Sequence, residues 1–367
     1  MTEQELSAYI QAIRPADEAA MEAARRRQAQ LAKPPGSLGQ LEEISIRLAG
    51  VTGQVCPAMG KCRVAVFAAD NGVVAEGVSC TPPAVTLQQA VNMTFRKTGM
   101  SAMAAAFGDD VSVVDVGIDG DVPPVGVLDR KVLRGTGDIA REDAMTRQQV
   151  LDAMAAGMEQ AARARADGVT ALGIGEMGIG NTTTSAAVLA ALTGADIEAV
   201  TGRGGGLTDE GFLRKKEVLR QALALHRPDG NDVIGVLAGV GGLDLAAMTG
   251  AFLGCAHERV PAAVDGFISI AAALCAVRLC PAVRDVLFLS HDSYEVGYRI
   301  AAEALGLQPC LRLGMRLGEG SGCPLLFRVL EGACGVMRGM ATFGEASIED
   351  SYLDEIRAMD AFTVEGA

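Results

Sequence analysis

The chain has 367 residues, 49% of them hydrophobic, which is enough to bury a large core and to form one large domain or two unequal ones. Its formal net charge of −13, without a long run of lysine and arginine, excludes a protein that tracks nucleic acid or an anionic membrane surface. Only 4% of the residues are aromatic, so a stacking platform for nucleic-acid bases is not expected either.

The start of the chain lacks a basic segment followed by an apolar one, and no run of about 18 apolar residues occurs along it. We therefore expect neither export nor membrane insertion. The nine cysteines form no C-x-x-C pair, which indicates reduced thiols in a cytoplasmic protein.

Helices are predicted near the amino end of the chain. Residues 4–31 and 38–51 have helical character, and the two prolines and the glycine within 33–36 prevent one continuous helix. Ser37 and Gln40 have the spacing of a capping box, which predicts the start of the second helix.

A large α/β domain is predicted over residues 61–323. Short apolar runs that predict strands cover residues 64–69, 111–116, 169–174, 233–240, 262–264 and 286–290. Helix-like segments follow several of them, as at 209–225, 243–255 and 267–277. Apolar strands interleaved with helices indicate a parallel sheet with helices on both faces. The tail, residues 324–367, is again predicted to be helical, and with residues 1–60 it is expected to form a small, mainly helical domain.

Ligands of such sheets bind beyond the carboxyl ends of the strands. The loops expected to hold a ligand are therefore 70–72, 173–184, 201–210, 265–266 and 290–293.

The segment 173–180 places four glycines around one carboxylate, that of Glu176. Its first six residues, G-I-G-E-M-G, fit the G-x-G-x-x-G fingerprint of dinucleotide sites, and Glu198 lies twenty residues after Gly178. The third glycine of that fingerprint lies inside a helix, whereas here the helix is predicted to begin near residues 182–183. Free backbone N–H groups and hydroxyls at that point are suited to a phosphate.

Two further segments carry candidate binding chemistry. Residues 201–208 contain three consecutive glycines and Arg203, so this segment is either a flexible connector or part of an anion site. Glu319 stands between two glycines, and its apolar neighbours are expected to raise the pKa of its carboxyl by desolvation, as a general base near neutral pH requires. The alternative for Glu319 is a solvated loop residue.

The three histidines, His226, His257 and His291, show no metal-ligand spacing, so no metal site is expected. His291 follows a predicted strand, where it either touches a ligand or makes hydrogen bonds at a helix start.

Several motifs occur together in one order between about residues 30 and 340. They are K-P-P-G-S-L-G at 33–39, A-D-N-G-V at 69–73, G-E-M-G-I-G-N-T-T at 175–183, G-R-G at 202–204, S-H at 290–291 and L-G-E-G-S-G at 317–322. This set resembles the nicotinate-nucleotide:dimethylbenzimidazole phosphoribosyltransferase family. The resemblance implies a homodimer with a large Rossmann-like domain and a small domain built from both chain ends.

The resemblance also implies roles for particular residues. Glu319 is expected to be the catalytic base, with Glu176 as a second catalytic group. The residues expected around the nucleotide are Gly178, Gly180, Asn181, Thr182, Gly204, Lys215, Asp265 and Ser293. The residues expected near the incoming base are Ser79, Gln88 and Leu317.

Enzymes of this family move phosphoribose from nicotinate mononucleotide to a lower-ligand base of cobamides, and they release nicotinate. The leaving pyridinium is already cationic, so we expect no metal and no other cofactor. Glu319 is expected to remove a proton from the attacking heterocycle, and Glu176 to face the ribose hydroxyls or the positive charge that develops at C1′.

Two alternatives remain open from the residues alone. One is an NAD-dependent oxidoreductase that uses G-I-G-E-M-G as its fingerprint. The other is a non-catalytic relative that binds a nucleotide or a base. The residues do not distinguish benzimidazoles, adenine and phenolic compounds as the acceptor, because these differ by few pocket contacts.

Overall fold

A computed structural model describes residues 1–123 and 125–354. Within these residues, six parallel strands form one sheet in the order β3-β2-β1-β4-β5-β6. The strands are β1 Cys62–Ala69, β2 Asp110–Gly117, β3 Val127–Asp129, β4 Ala171–Met177, β5 Ala262–Val264 and β6 Leu287–Leu289. The order runs one way from β1 and the other way from β4, so the boundary between these two strands is the switch point at which such sheets bind ligands.

Helices cover the sheet on both faces, as predicted. In chain order they are α1 Glu3–Gln11, α2 Glu18–Gln30, α3 Gln40–Thr52, α4 Val85–Thr94, α5 Gly99–Phe107, α6 Arg147–Ala166, α7 Asn181–Thr193, α8 Ile197–Val200, α9 Asp209–His226, α10 Val233–Val240, α11 Leu243–Glu258, α12 Phe267–Leu279, α13 Gly297–Leu305 and α14 Cys323–Gly339. Helix α11 packs against α6, α12 and the central strands, whereas α14 packs against α5 and the same sheet. The predicted α/β class is therefore confirmed.

Some predicted elements are wrong. Residues 233–240 form α10, not a strand, because all of this short apolar run except Gly235 is buried and an apolar run without polar alternation fits either element. The Asp232 side chain accepts a hydrogen bond from Gly235 N at 3.0 Å and caps this helix. The three-residue strand β3 was not predicted from the sequence.

The helix boundaries also differ from expectation. Residues 4–31 form two helices, with the break near Pro15, whereas the predicted break at 33–36 is confirmed. The capping box at Ser37 is wrong, since α3 begins after Gly39, whose φ is 54° and which makes no side-chain cap bond. In the predicted helical tail, α14 ends at Gly339, and residues 355–367 lie outside the described part of the chain.

A second apolar cluster joins the amino-terminal helices to α14. Its buried members are Ala20, Ala24, Leu31, Ile46, Ala49 and Met337. An antiparallel bridge between Leu31 and Thr342 ties the two ends of this region together. Leu6 and Leu48, however, belong to the main core, so the terminal helices also pack on the large sheet. The division of the chain at residues 60 and 324 stays a prediction.

All nine cysteines are unpaired thiols. Among the helices in residues 1–123 and 125–354, none has both the length and the apolar character that crossing a membrane requires.

Candidate active site

A cavity of about 270 Å³ opens at the carboxyl ends of β4, β5 and β6. The predicted site residues that line it are Ser79, Glu176, Gly178, Gly180, Asn181, Thr182, Gly204, Asp265, Ser293, Leu317 and Glu319. Segments separated by more than two hundred residues in the chain therefore meet at one end of the sheet, beside the switch point between β1 and β4. Lys215 and Gln88 are not part of this lining.

Glu319 is held in an unusual backbone conformation. Its φ is 63°, and the flanking Gly318 and Gly320 have φ values of 81° and 82°, so three consecutive residues are left-handed. Its side chain is 6% exposed. The carboxylate accepts hydrogen bonds from Gln89 Nε2 at 3.4 Å and from Met100 N, in the first turn of α5, at 3.5 Å.

These surroundings act on the Glu319 carboxyl in opposite directions. Burial is the largest influence and raises its pKa above the ordinary glutamate value, while hydrogen bonds from Thr98 and from the Met100 backbone lower it. The positive end of the α5 dipole also favours the ionised form. The balance keeps the pKa raised, which suits a group that accepts a proton near neutral pH.

The first two glycines of the G-I-G-E-M-G segment lie inside β4 and do not form a phosphate loop. A Cβ at Gly173 would come within 2.6 Å of Cys323 Cβ, and one at Gly175 would come within 2.8 Å of the Glu319 carbonyl and the Gly320 backbone. These glycines are needed because the segment that carries Glu319 packs directly on the strand. The dinucleotide interpretation therefore fails on structural grounds.

Gly175→Ala is expected to displace the segment that carries Glu319. Because the added methyl meets backbone atoms, which cannot rotate away, we expect a loss of about 1–3 kcal/mol in unfolding free energy and a clear fall in activity. Urea denaturation and a turnover assay measure the two effects.

Gly332→Ala is the matched control, since it lies in α14 and an added methyl has no neighbour within 4 Å. It should be neutral or stabilising by up to about 1 kcal/mol. Equal unfolding free energies and equal turnover for the two variants would contradict the close contact between Gly175 and the segment that carries Glu319.

Glu176 is the last residue but one of β4, and its carboxyl is buried beside Glu319. Its Oε1 accepts a hydrogen bond from Glu319 N at 3.2 Å, and its Oε2 accepts one from Asn181 Nδ2 at 2.5 Å. Burial raises the pKa of this carboxyl to about 8, and the nearby charge of Asp244 adds to the rise. The two candidate catalytic carboxyls are thus connected through the Glu319 backbone.

The raised pKa of Glu176 predicts a pH-dependent stability. The folded protein holds this proton more tightly than the unfolded chain, whose pKa is about 4.5, so the contribution of Glu176 to stability is complete below that pH and is lost as the pH rises through about 8. Glu176→Gln, which carries no titrating proton, should become more stable relative to the wild type as the pH rises from 5 to 8.5.

Urea unfolding across this range tests the expectation. Glu217→Gln, on the exposed face of α9, is the control and should follow the wild-type pH dependence. If the unfolding free energies of the wild type and of Glu176→Gln changed with pH in the same way, the raised pKa of Glu176 would be contradicted.

Asp265 follows β5 and anchors the Glu319 segment from the other side. Its Oδ2 accepts a hydrogen bond from Gly320 N at 3.0 Å and its Oδ1 accepts one from Gly322 N at 2.7 Å. Burial raises the pKa of this carboxyl, and His291, whose Nδ1 lies 3.9 Å away, opposes the rise. Asp265 therefore positions backbone at the site, besides lining the cavity.

Lys215 lies behind the cavity wall and points toward the start of α7. It is completely buried, and its Nζ donates to Thr182 Oγ1 at 2.8 Å and to the Gly202 carbonyl at 3.1 Å. Burial lowers the pKa of its ammonium group to about 8, while Glu295 acts in the opposite direction. An ammonium has three donors, so one stays available after these two bonds.

The start of α7 is suited to an anion. Its N-cap is Gly180, which makes no side-chain cap bond. The N–H groups of Asn181 and Thr183 donate to the backbone carbonyls of residues 178 and 180 at 3.1 and 2.9 Å, so this 13-residue helix offers an anion the positive end of its dipole and the Thr182 N–H between them. Gly204 approaches closely, since a Cβ there would lie 3.0 Å from Thr182 Oγ1 and 3.8 Å from Lys215 Nζ. The helix start, the glycine segment and the lysine converge on one side of the cavity.

One predicted base-binding residue is misplaced by one position. Gln88 is exposed and outside the cavity lining, whereas Gln89 lines the cavity and donates to Glu319. Successive residues of α4 point about 100° apart, so only one of the two glutamines can face the site. Val85 also lines the cavity, and its i, i+4 relation to Gln89 is the sequence signal that identifies the inward face.

The remaining predicted positions near the base lie at the rim. Ser79 Oγ accepts a hydrogen bond from Thr81 N at 3.1 Å, and Leu317 is 56% exposed. Arg316 also lines the cavity and was not singled out from the sequence. In residues 1–123 and 125–354 there is no cluster of three or more histidine, cysteine, aspartate or glutamate side chains that could hold a metal ion.

Known proteins resemble this chain over most of its length. A family model described as phosphoribosyltransferase matches residues 13–348. The nicotinate-nucleotide–dimethylbenzimidazole phosphoribosyltransferase of Clostridium perfringens (strain 13 / Type A) is 46% identical over 341 residues, which cover 93% of this chain and 94% of that protein. The enzyme of the same name from Geobacter metallireducens is 46% identical over 347 residues, 94% of this chain and 98% of that protein.

A solved structure agrees with these matches. The crystal structure of CobT from Thermus thermophilus superposes with a TM-score of 0.88 and is 44% identical, covering 91% of this chain and all of that one. The resemblance found from the motifs is thus confirmed, and the oxidoreductase alternative has no support from the matches. The chain belongs to the family of nicotinate-nucleotide–dimethylbenzimidazole phosphoribosyltransferases.

Proposed function

We propose that the protein transfers phosphoribose from nicotinate mononucleotide to 5,6-dimethylbenzimidazole or a related lower-ligand base, giving α-ribazole 5′-phosphate and nicotinate for the cobamide nucleotide loop. The observation that carries this proposal is that one cavity is lined both by the buried carboxylate of Glu319 and by the start of α7, where Lys215 supports Thr182 from behind the cavity wall. The first group suits the heterocyclic base and the second suits the phosphate.

The chemistry follows from these positions. Nicotinate leaves from a pyridinium that is already cationic, so the C1′–N bond breaks as the unprotonated nitrogen of the incoming base attacks C1′ from the opposite face. The configuration at C1′ therefore changes from β to α. Positive charge appears on the attacking ring system, and Glu319 accepts the proton from its other nitrogen.

In this proposal Glu176 acts on the ribose of the nucleotide during the same transfer step. Its carboxyl lies at the end of β4, next to the anion site at α7, so a nucleotide whose phosphate occupies that site brings its ribose close to Glu176. There the carboxyl faces the ribose hydroxyls or the charge that develops at C1′. In this proposal the carboxylate among the four glycines contacts the sugar, while the start of α7 and Lys215 bind the phosphate.

Purified protein with nicotinate mononucleotide and a panel of benzimidazoles, adenine and phenols provides the direct test, with nicotinate and the ribosylated base followed by mass spectrometry. We expect both products in equal amounts in the presence of an accepted base. Binding of the nucleotide without nicotinate release for any base would favour the non-catalytic alternative.

We further propose that the protein is a homodimer in the cytoplasm, binding small molecules and neither nucleic acid nor membrane. The large apolar side chains of Tyr294, Val296 and Leu313 are exposed. Tyr294 N donates a hydrogen bond to the Met315 carbonyl at 3.2 Å, which joins the two segments that carry these side chains. We propose that these exposed apolar side chains contribute to the dimer interface. Sedimentation analysis should give twice the chain mass; a monomer at micromolar concentration would contradict the proposal.

A further inference from the structure

A carboxyl behind the cavity wall is connected to the candidate catalytic pair. Asp244 lies in the first turn of α11, is fully buried and does not line the cavity. Its Oδ1 accepts a hydrogen bond from Leu245 N at 2.9 Å within its own helix, and its Oδ2 accepts one from Asn181 Nδ2 at 2.9 Å. One carboxylate oxygen of Asp244 therefore contacts Asn181, the first residue of α7.

The Asn181 amide is shared between two carboxyls. The same Nδ2 that donates to Asp244 also donates to Glu176 Oε2 at 2.5 Å, so both of its hydrogens are used. A reversed amide would place its carbonyl oxygen against both acidic groups. The pair of carboxyls therefore fixes the orientation of Asn181.

The Asp244 carboxylate occupies space that two neighbouring glycines leave open. A Cβ at Gly178 would come within 2.7 Å of its Oδ2, and one at Gly242 would come within 2.5 Å of its Oδ1. Larger residues at these two positions would fill the space that the carboxylate occupies. The glycines on both sides thus make room for Asp244 to reach Asn181.

We infer that Asp244 is a positioning residue for phosphoribosyl transfer, which acts through the Asn181 amide to hold the Glu176 carboxyl in place at the cavity wall. The inference rests on the proposed function. Glu176 in turn accepts a hydrogen bond from Glu319 N, so one continuous set of contacts extends from the start of α11 to the backbone of the candidate base.

Asp244→Asn tests the inference. The substitution keeps the shape but introduces an amide that can donate to the Asn181 carbonyl, so Asn181 is free to turn and to withdraw its N–H from Glu176. We expect kcat to fall about 10-fold with the KM for nicotinate mononucleotide changed by less than about threefold. In a Glu176→Gln background, Asp244→Asn should cause little further loss, since the residue acts through Glu176.

Asp232→Asn is the matched control, because it makes the same change at the start of α10, where Asp232 caps the helix and pairs with Arg147. It should lower stability and leave kcat unchanged. A loss of kcat from Asp244→Asn that is equally large with and without Glu176 would show a purely structural role and overturn the inference, as would an unchanged kcat.

A second variant keeps the test decisive if Asp244→Asn does not fold. Asn181→Ser deletes the amide between the two carboxyls, and its effect on kcat should likewise be strongly reduced in the Glu176→Gln background; additive effects would overturn the inference. Failure of the proposed function can be distinguished from failure of this inference, because the wild-type protein would then release no nicotinate with any base.

Discussion

Glu319→Gln is expected to lower kcat by about 10²- to 10⁴-fold, the range by which a positioned general base accelerates a reaction. The amide has nearly the same shape as the carboxylate and keeps a carbonyl oxygen for the Met100 N–H, but it cannot accept the proton of the attacking heterocycle. Nicotinate release at saturating concentrations of both substrates, in a variant shown to be folded by circular dichroism, measures the effect.

The pH dependence of kcat gives a second readout of the same group. Glu319 must be ionised to accept a proton, so kcat should rise with pH through its pKa, which burial places above the ordinary glutamate range. This limb should disappear in Glu319→Gln. Glu217→Gln on the surface of α9 is the control. A folded Glu319→Gln variant with kcat within threefold of the wild type would remove Glu319 as the base.

Lys215→Met should raise the KM for nicotinate mononucleotide by about 10- to 100-fold, as expected when a hydrogen bond to a charged group is lost. Methionine fills most of the space of the buried lysine stem, but it offers no donor to a phosphate and leaves Thr182 Oγ1 and the Gly202 carbonyl without theirs. Initial rates at varied nucleotide concentration, with the base held saturating, measure the change.

Lys216→Met is the matched control for this experiment. Lys216 is the next residue of α9, and its ammonium pairs with Glu198 away from the cavity lining. Its replacement should leave the KM for the nucleotide at the wild-type value. Equal KM values for the two variants would place the phosphate elsewhere.

The sequence predicted the sheet where strands are short, buried and separated by polar or glycine turns, as in β1, β4 and β5. It failed at residues 233–240 because the run is apolar throughout, so it has no polar alternation that would reveal a helical or a strand period. It failed at the helix start before Gln40 because the φ of Gly39, rather than the Ser37 hydroxyl, sets that boundary.

The sequence predicted most residues of the candidate site but not the contacts among them. The motifs identified Glu319 and Glu176, yet the hydrogen bond between Glu319 N and Glu176 joins positions 143 residues apart, and no local pattern indicates it. The same holds for Asp265, whose bonds to Gly320 and Gly322 depend on the tertiary fold. The sequence also did not show whether Gln88 or Gln89 faces the site, because that depends on how α4 is rotated about its axis in the fold.

The left-handed run at 318–320 is held by hydrogen bonds from the N–H groups of residues 319 and 320, and from that of residue 322 just after it, to carboxyls at the ends of β4 and β5. A carboxylate mounted in this way is ordered when the chain folds, so if Glu319 is the base we expect it to need little reorganisation energy when charge develops on the substrate. The position of the Glu319 carboxylate should then depend only weakly on which heterocycle binds. We therefore expect the residues at the mouth of the cavity to determine which acceptor base is preferred. Exchange of those rim residues is a route by which one catalytic frame could serve chemically different nucleobase analogues.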